Sequence, residues 1–85
     1  MRQITIRFFA HLKDLAGMES VSLPLEQDCP LWQLIAQLEE SIPALKGFAE
    51  GATIQIAVNQ EFQKVDAIIH PGDEIAFLPP FSGGS

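Results

Sequence analysis

The chain has 85 residues, enough for one small domain, and 47% of them are hydrophobic, too many for a disordered protein. Its net charge of −6 argues against nucleic acid as a partner, because phosphates require a basic stripe. The charge suits either a basic protein partner or plain solubility. No apolar run approaches the roughly 20 residues of a membrane span. No signal peptide is expected, and the single cysteine, Cys29, leaves no internal disulfide, so we expect a cytoplasmic protein that does not associate with a membrane.

The N-terminal part predicts two strands and a short helical turn. Residues 3–9 alternate between apolar and polar side chains, which is typical of a half-buried β-strand. The next residues predict a helical turn closed by Gly17, a residue suited to a left-handed cap. Alternation over residues 21–25 predicts a second strand, in which Pro24 fits only at an edge or a bulge. The residues of the first strand expected to face the core are Ile4, Ile6 and Phe8.

The clearest helix is predicted from about Pro30 to Ile42. Pro30 suits the first helical position, and Pro43 ends the segment. Apolar residues follow helical spacing, which predicts that one stripe packs on the core. That stripe consists of Leu31, Leu34, Ile35, Leu38 and Ile42.

The C-terminal half predicts three further strands. Alternation of Ile54, Ile56 and Val58 indicates the third strand of the chain, and the next three residues make a turn into a short strand over residues 62–65. Residues 71–73 are a second turn signal and lead into a last strand, residues 74–78. Strands, one dominant helix and more strands in so few residues predict an α+β fold, with the helix packed across one face of a sheet.

Three large apolar side chains fall where the pattern predicts polar ones. Phe9 lies opposite the core residues of the first strand, Leu78 lies opposite those of the last strand, and Phe62 follows a turn. If the first and last strands are neighbours, these residues share one exposed surface, which is typical of a protein–protein interface. A second small core under a loop is the alternative.

The chain contains few groups that predict catalysis. His11 and His70 lack ligand spacing, and Asp73 and Glu74 are more simply read as turn chemistry. A structural role is the simplest reading of Cys29. There is no phosphate-binding glycine loop, metal motif or nucleophile elbow. We therefore expect no catalytic residues in the body of the domain.

The C-terminal sequence carries the most functional information. It ends Pro80-Phe81-Ser82-Gly83-Gly84-Ser85, and a glycine pair at a chain end buries nothing. Such a tail suits insertion into a narrow channel, where only backbone passes and a terminal carboxyl group is the reactive handle. A frayed terminus or a linker remnant is the alternative.

Several motifs together resemble the family of small subunits of molybdopterin synthase, along essentially the whole chain. The resemblance implies the ubiquitin-like β-grasp fold, with a mixed sheet, one main helix on one face, a domain over residues 1–80 and a flexible tail over residues 81–85. The segment from Gly72 to Gly84 is its most specific part. The matching motifs are Phe8-Phe9-Ala10, Leu12-Lys13-Asp14, Gly17, Ala57-Val58-Asn59-Gln60, Asp66, Gly72-Asp73-Glu74-Ile75-Ala76-Phe77, Pro79-Pro80 and Ser82-Gly83-Gly84.

The resemblance implies a sulfur carrier whose reactive group is the carboxylate of Gly84, with Gly83 as its slender neighbour. An activating enzyme adenylates that carboxylate with ATP, and sulfur replaces the adenylate to give a thiocarboxylate. The tail then enters the large catalytic subunit, in a heterotetramer of two small and two large subunits, and donates sulfur to cyclic pyranopterin monophosphate. Two transfers build the dithiolene that binds molybdenum. No cofactor bound by the chain itself is implied. The residues that the resemblance places at the partner interface are Phe9, Phe62, Leu78, Pro80, Phe81 and Ser82.

One residue departs from the family pattern, which ends at the second glycine. With Ser85 attached, Gly84 carries an amide where adenylation needs a carboxylate. Three interpretations of Ser85 are open. A protease removes it, it is a linker remnant, or this copy of the protein cannot act as a carrier. The rival functions are a carrier for thiamine synthesis or tRNA thiolation, a ubiquitin-like modifier of lysines, and an interaction module with an inert tail.

Overall fold

The computed structural model describes residues 2–48 and 54–78. The elements are β1 (Gln3–Phe8), α1 (His11–Ala16), β2 (Ser20–Pro24), β3 (Cys29–Pro30), α2 (Leu31–Ser41), a 3₁₀ helix (Pro43–Leu45), β4 (Gln55–Val58), β5 (Glu61–Gln63), β6 (Ile68–Ile69) and β7 (Glu74–Leu78). They form an α+β fold with a mixed five-stranded sheet in the order β2-β1-β7-β4-β5. The central strands β1 and β7 run parallel, and the other pairings in this sheet are antiparallel.

The core lies between one face of the sheet and α2. The strict alternation of β1 buries every second side chain, as predicted, and β7 buries Ile75 and Phe77 completely. Phe77 stacks on Phe8 with ring centroids 6.1 Å apart and meets Phe48 edge-on at 5.1 Å. The predicted helix stripe is buried as well, apart from Ile42, which is partly buried against the core.

The ends of the two helices follow local chemistry. Gly17 adopts φ 74° and donates its backbone N–H to the Lys13 carbonyl, so the predicted left-handed cap of α1 is confirmed. Ile42 leaves the helical conformation with φ −126° and ψ 89°, since the helical region is disfavoured before a proline, and α2 ends there. The prediction that Pro30 occupies the first helical position is wrong. Pro30 is the extended N-cap, because it also pairs with Ile68 in the small β3–β6 ladder.

Strand boundaries differ from the predictions by one or two residues. The first strand ends at Phe8, and the short strand predicted over residues 62–65 is β5, Glu61–Gln63. Asn59 and Gln60 both have positive φ, as the two central residues of a type I′ hairpin turn require, so Glu61 already belongs to the strand. Pro24 lies in the edge strand β2, where a missing N–H is tolerated, and this confirms its predicted position.

Candidate protein-docking site

The sheet has a second face that α2 does not cover, which we call the open face. Since successive side chains of a strand point to opposite faces, this face carries the residues that alternate with the core residues. Cross-strand register aligns Phe62 with Ala57, Ala57 with Ala76, and Ala76 with Arg7. A single row therefore crosses four strands. The strand residues of the open face are Gln3, Thr5, Arg7, Ser20, Ser22, Pro24, Gln55, Ala57, Phe62, Glu74, Ala76 and Leu78.

Apolar residues extend across the open face toward the end where β1 and β7 finish. The three residues predicted from alternation all lie on this face: Phe62 is 63% exposed, Phe9 is 37% exposed and Leu78 is half-buried. The first and last strands are indeed neighbours, and the Phe9 N–H donates to the Phe77 carbonyl at 3.3 Å. We call Phe9, Ala57, Phe62, Ala76 and Leu78 the apolar patch. The two alanines give it a low floor between larger side chains, a shape suited to a protruding side chain of a partner.

The backbone after β1 fixes the position of Phe9. Ala10 has φ 55° and ψ −133°, a conformation that normally requires glycine, and it turns the chain directly into α1. The Phe9 carbonyl accepts the Leu12 N–H at 3.1 Å, and the Ala10 carbonyl accepts the Lys13 N–H at 3.0 Å. This turn holds Phe9 beside the end of β7.

One ion pair borders the apolar patch. Arg7 Nη1 lies 3.5 Å from Glu74 Oε2, and the two side chains are 50% and 40% exposed. The guanidinium carbon also lies 5.6 Å from the centre of the Phe9 ring, within the range of a cation–π contact. Alternation predicts the face of Arg7 but not this stacking, because the side-chain rotamer leaves no trace in the sequence pattern.

The opposite end of the sheet is fixed by hydrogen bonds between two turns. Asn59 Nδ2 donates to Asp73 Oδ1 at 3.0 Å, and Asn59 Oδ1 accepts the Glu74 N–H at 3.0 Å. Asp73 Oδ2 also accepts the His70 N–H at 2.7 Å. These bonds set the entry of β7 and therefore its register, which supports the turn role predicted for Asp73. The Glu74 carboxylate pairs with Arg7 instead.

Two titratable groups are perturbed outside the patch. His70 Nδ1 lies 2.9 Å from Asp28 Oδ1, and this hydrogen bond, with the charge of Asp28, raises the pKa of His70. Burial, followed by the charge of Asp28, raises the pKa of the Cys29 thiol, so its thiolate is disfavoured. This agrees with a structural cysteine. Within residues 2–48 and 54–78, no cluster of histidine, cysteine and acidic side chains is suited to a metal, and no helix is long and apolar enough to cross a membrane.

The sequence pattern missed a second group of exposed apolar side chains. They are Trp32 at the start of α2, Val65 in the segment before β6, and Ile68 in β6. The Trp32 N–H donates to the Val65 carbonyl at 2.9 Å. A groove between Phe62 and Val65 continues from the apolar patch toward this group. Trp32 lies off the helical stripe, which is the one signal that predicts its exposure.

The remaining predicted site residues lie outside the described part of the chain. They are Pro80, Phe81, Ser82, Gly83 and Gly84. Leu78 is the last described residue before them, so the segment that contains them starts from the apolar patch.

Comparison with known proteins assigns the chain to a family. The ThiS family matches residues 6–84, a range that ends at Gly84. A human protein named molybdopterin synthase sulfur carrier subunit is 32% identical over 85 residues, covering 96% of this chain and 94% of that protein. The crystal structure of SAMP1 from Haloferax volcanii superposes with a TM-score of 0.84 at 27% identity, covering 96% and 99% of the two chains. A complex of subunits 1 and 2 of molybdopterin-converting factor from Helicobacter pylori gives a TM-score of 0.67 at 26% identity, covering 96% and 99%. The chain therefore belongs to the ThiS family, has its ubiquitin-like β-grasp fold, and lies among relatives named as molybdopterin synthase sulfur carrier subunits.

Proposed function

We propose that this chain is the sulfur-carrier subunit of a molybdopterin synthase. The observation that carries the proposal is the near-complete match to carrier subunits, which runs through Gly84 and coincides with an apolar patch at the base of the tail. Gly84 follows Leu78 by six residues, so a fully extended tail spans at most about 20 Å. A partner bound on the patch has its active site within that reach.

The chemistry resides in the tail and in the partners. Hydrolysis of the Gly84–Ser85 peptide bond by a protease first frees the Gly84 carboxylate. This carboxylate attacks the α-phosphorus of ATP on an activating enzyme, and pyrophosphate leaves. Sulfur from a donor then displaces AMP from the acyl carbon and forms a thiocarboxylate, whose sulfur is a good nucleophile. Each transfer to cyclic pyranopterin monophosphate ends with water restoring the carboxylate. The domain itself supplies binding and positioning.

The partner proposed for the apolar patch is the large synthase subunit, in a cytoplasmic assembly of two small and two large chains. The complex of subunits 1 and 2 from Helicobacter pylori supports such a partner. Phe9, Phe62 and Leu78 form the rigid part of the contact, and residues 80–82 extend it into the active site of the large subunit. Activation and transfer are successive steps. The activating enzyme and the large subunit therefore bind the same patch at different times.

The test compares two versions of the chain. Protein ending at Gly84 and protein retaining Ser85 are each incubated with the activating enzyme, ATP and a sulfur source. The masses of their C-terminal peptides are then measured by mass spectrometry. We expect sulfur to replace one oxygen only in the version that ends at Gly84. The activated protein, mixed with the large subunit and cyclic pyranopterin monophosphate, should then yield the dithiolene product. No sulfur in either tail peptide would refute the carrier function.

A modifier of proteins is the second candidate, favoured by the similarity to SAMP1, a small archaeal modifier protein. In that case the activated Gly84 carbonyl is attacked by a lysine amine, and AMP leaves as the isopeptide forms. Peptide mass spectrometry of cellular proteins distinguishes the two functions. Gly84 joined to lysine side chains supports the modifier, whereas thiocarboxylate without such conjugates supports the carrier. A carrier for thiamine synthesis or tRNA thiolation would form the thiocarboxylate but fail with the pterin substrate.

A further inference from the structure

Arg7 places a cation on the open face. Among the open-face residues of the five described strands of the main sheet, Arg7 is the only basic one, in a protein whose net charge is −6. It occupies β1 next to Ala76 of the apolar patch, and its guanidinium folds over the ring of Phe9. Arg7 therefore lies at the boundary between the apolar patch and the polar half of the face.

The guanidinium is poorly satisfied within the described part of the protein. A guanidinium has five N–H donors, and a charge-assisted bond to a carboxylate is typically about 2.7–2.9 Å long. The contact with Glu74 is 3.5 Å, and no other side-chain hydrogen bond among residues 2–48 and 54–78 involves Arg7. With half of the side chain exposed, water serves the remaining donors in the free protein.

A partner on the apolar patch removes that water. Phe9 lies directly beneath the guanidinium and Ala76 is the cross-strand neighbour of Arg7, so a surface that covers both also covers part of Arg7. A charged donor left without an acceptor in an interface costs more than a neutral one. The partner must therefore supply acceptors at this point, and a carboxylate matches the planar fork of a guanidinium with two parallel hydrogen bonds.

We propose that Arg7 is a specificity-determining residue of this surface and receives a carboxylate side chain of the large subunit at the edge of the apolar contact. This inference rests on the proposed function for the identity of the partner. Arg7 gives this part of the contact a positive charge, although the net charge of the chain is negative. A large subunit with a generally basic surface still needs one acidic residue opposite Arg7. Glu74 holds Arg7 in place in the free protein and yields to the stronger acceptor in the complex.

The test measures the dissociation constant of the large subunit for the wild-type chain and for Arg7→Leu, Arg7→Lys and Glu74→Gln, at low and high salt. We expect Arg7→Leu to weaken binding at least about tenfold, because a hydrogen-bonded charge pair is lost. Arg7→Lys should fall between the two, because it keeps the charge and loses the fork. Glu74→Gln should bind at least as tightly as wild type. The advantage of wild type over Arg7→Leu should shrink at high salt.

The same data separate failure of this inference from failure of the proposed function. Arg7→Leu binding as tightly as wild type, while Phe62→Ala binds more weakly, overturns the role of Arg7 and leaves the carrier function intact. Absence of wild-type binding overturns both. Charge reversal supplies the positive identification: Arg7→Glu should lose binding, and one acidic residue of the large subunit changed to lysine should restore it. Failure of every such change to restore binding contradicts a carboxylate partner. Circular dichroism of each variant confirms that it is folded.

Discussion

Phe62→Ala is expected to weaken binding of the large subunit while leaving the fold nearly unchanged. Phe62 is 63% exposed on β5. A phenylalanine buries on the order of 200 Å² when fully covered, so about 125 Å² of Phe62 is available to a partner. At about 25 cal/mol per Å², covering that area contributes up to about 3 kcal/mol, which corresponds to roughly a hundredfold in the dissociation constant.

Phe9→Ala should weaken binding less than Phe62→Ala does and lower the free energy of unfolding more. Phe9 is 37% exposed, so a partner can cover only about 75 Å² more, worth about 2 kcal/mol. Its buried part and its contact with Arg7 support the free protein. Phe62→Ala should therefore cost more binding than Phe9→Ala, and Phe9→Ala should cost more folding stability.

The assay combines calorimetric titration of the large subunit with urea unfolding of each variant. Leu15→Ala is the matched control, because Leu15 is 46% exposed on α1, a helix that packs on the core through Leu12 and Ala16. We expect Leu15→Ala to bind as wild type does. Unchanged binding by folded Phe62→Ala, or an equal loss for Leu15→Ala, would refute the assignment of the patch as the docking surface.

Three further predictions concern the fold. Ala10→Gly should raise the free energy of unfolding by about 1 kcal/mol, because relief of the strained φ outweighs the added chain entropy. Gly17→Ala should lower it, since φ is 74° there although a Cβ meets nothing within 4 Å; urea unfolding measures both, and a destabilised Ala10→Gly would contradict the assignment of strain. The raised pKa of His70 implies stabilisation that is fully present below its ordinary value of 6.5 and is lost as pH rises through the raised, folded-state value. Asp28→Asn should flatten this part of the pH profile of unfolding, and an unchanged profile would exclude the His70–Asp28 pair as its source.

Periodic segments were predictable because one physical cause determines both the pattern and the structure. In β7 the turn signal at residues 71–73 and the alternation of Ile75 and Phe77 give the observed bounds, Glu74–Leu78. In β1 the same alternation identified Phe9 as a residue that does not belong to the core. The open-face part of the candidate site was therefore found from apolar residues at strand positions where the alternation predicts polar ones.

Other features depend on contacts distant in the sequence. The β3–β6 ladder joins residues about 40 positions apart through two pairs only, which is too short for any periodic signal. Pro30 was predicted inside the helix because proline suits both a first helical position and an extended cap, and only the pairing with Ile68 decides between them. The contact of Arg7 with Phe9 depends on a rotamer, and the exposure of Val65 depends on an irregular segment.

The sheet order explains how the domain can present the tail that the proposed function requires. Because β1 and β7 are parallel neighbours, Phe9, which follows β1, and Leu78, which ends β7, lie at the same end of the sheet. The bond from the Phe9 N–H to the Phe77 carbonyl joins the two chain segments there, and the Asn59–Asp73 bond fixes the register from the other end. A partner that binds the apolar patch therefore also fixes the starting point of the tail. An antiparallel pairing of β1 with β7 would separate Phe9 from the start of the tail by the length of a strand, roughly 17 Å for five residues, which is most of what the tail can span.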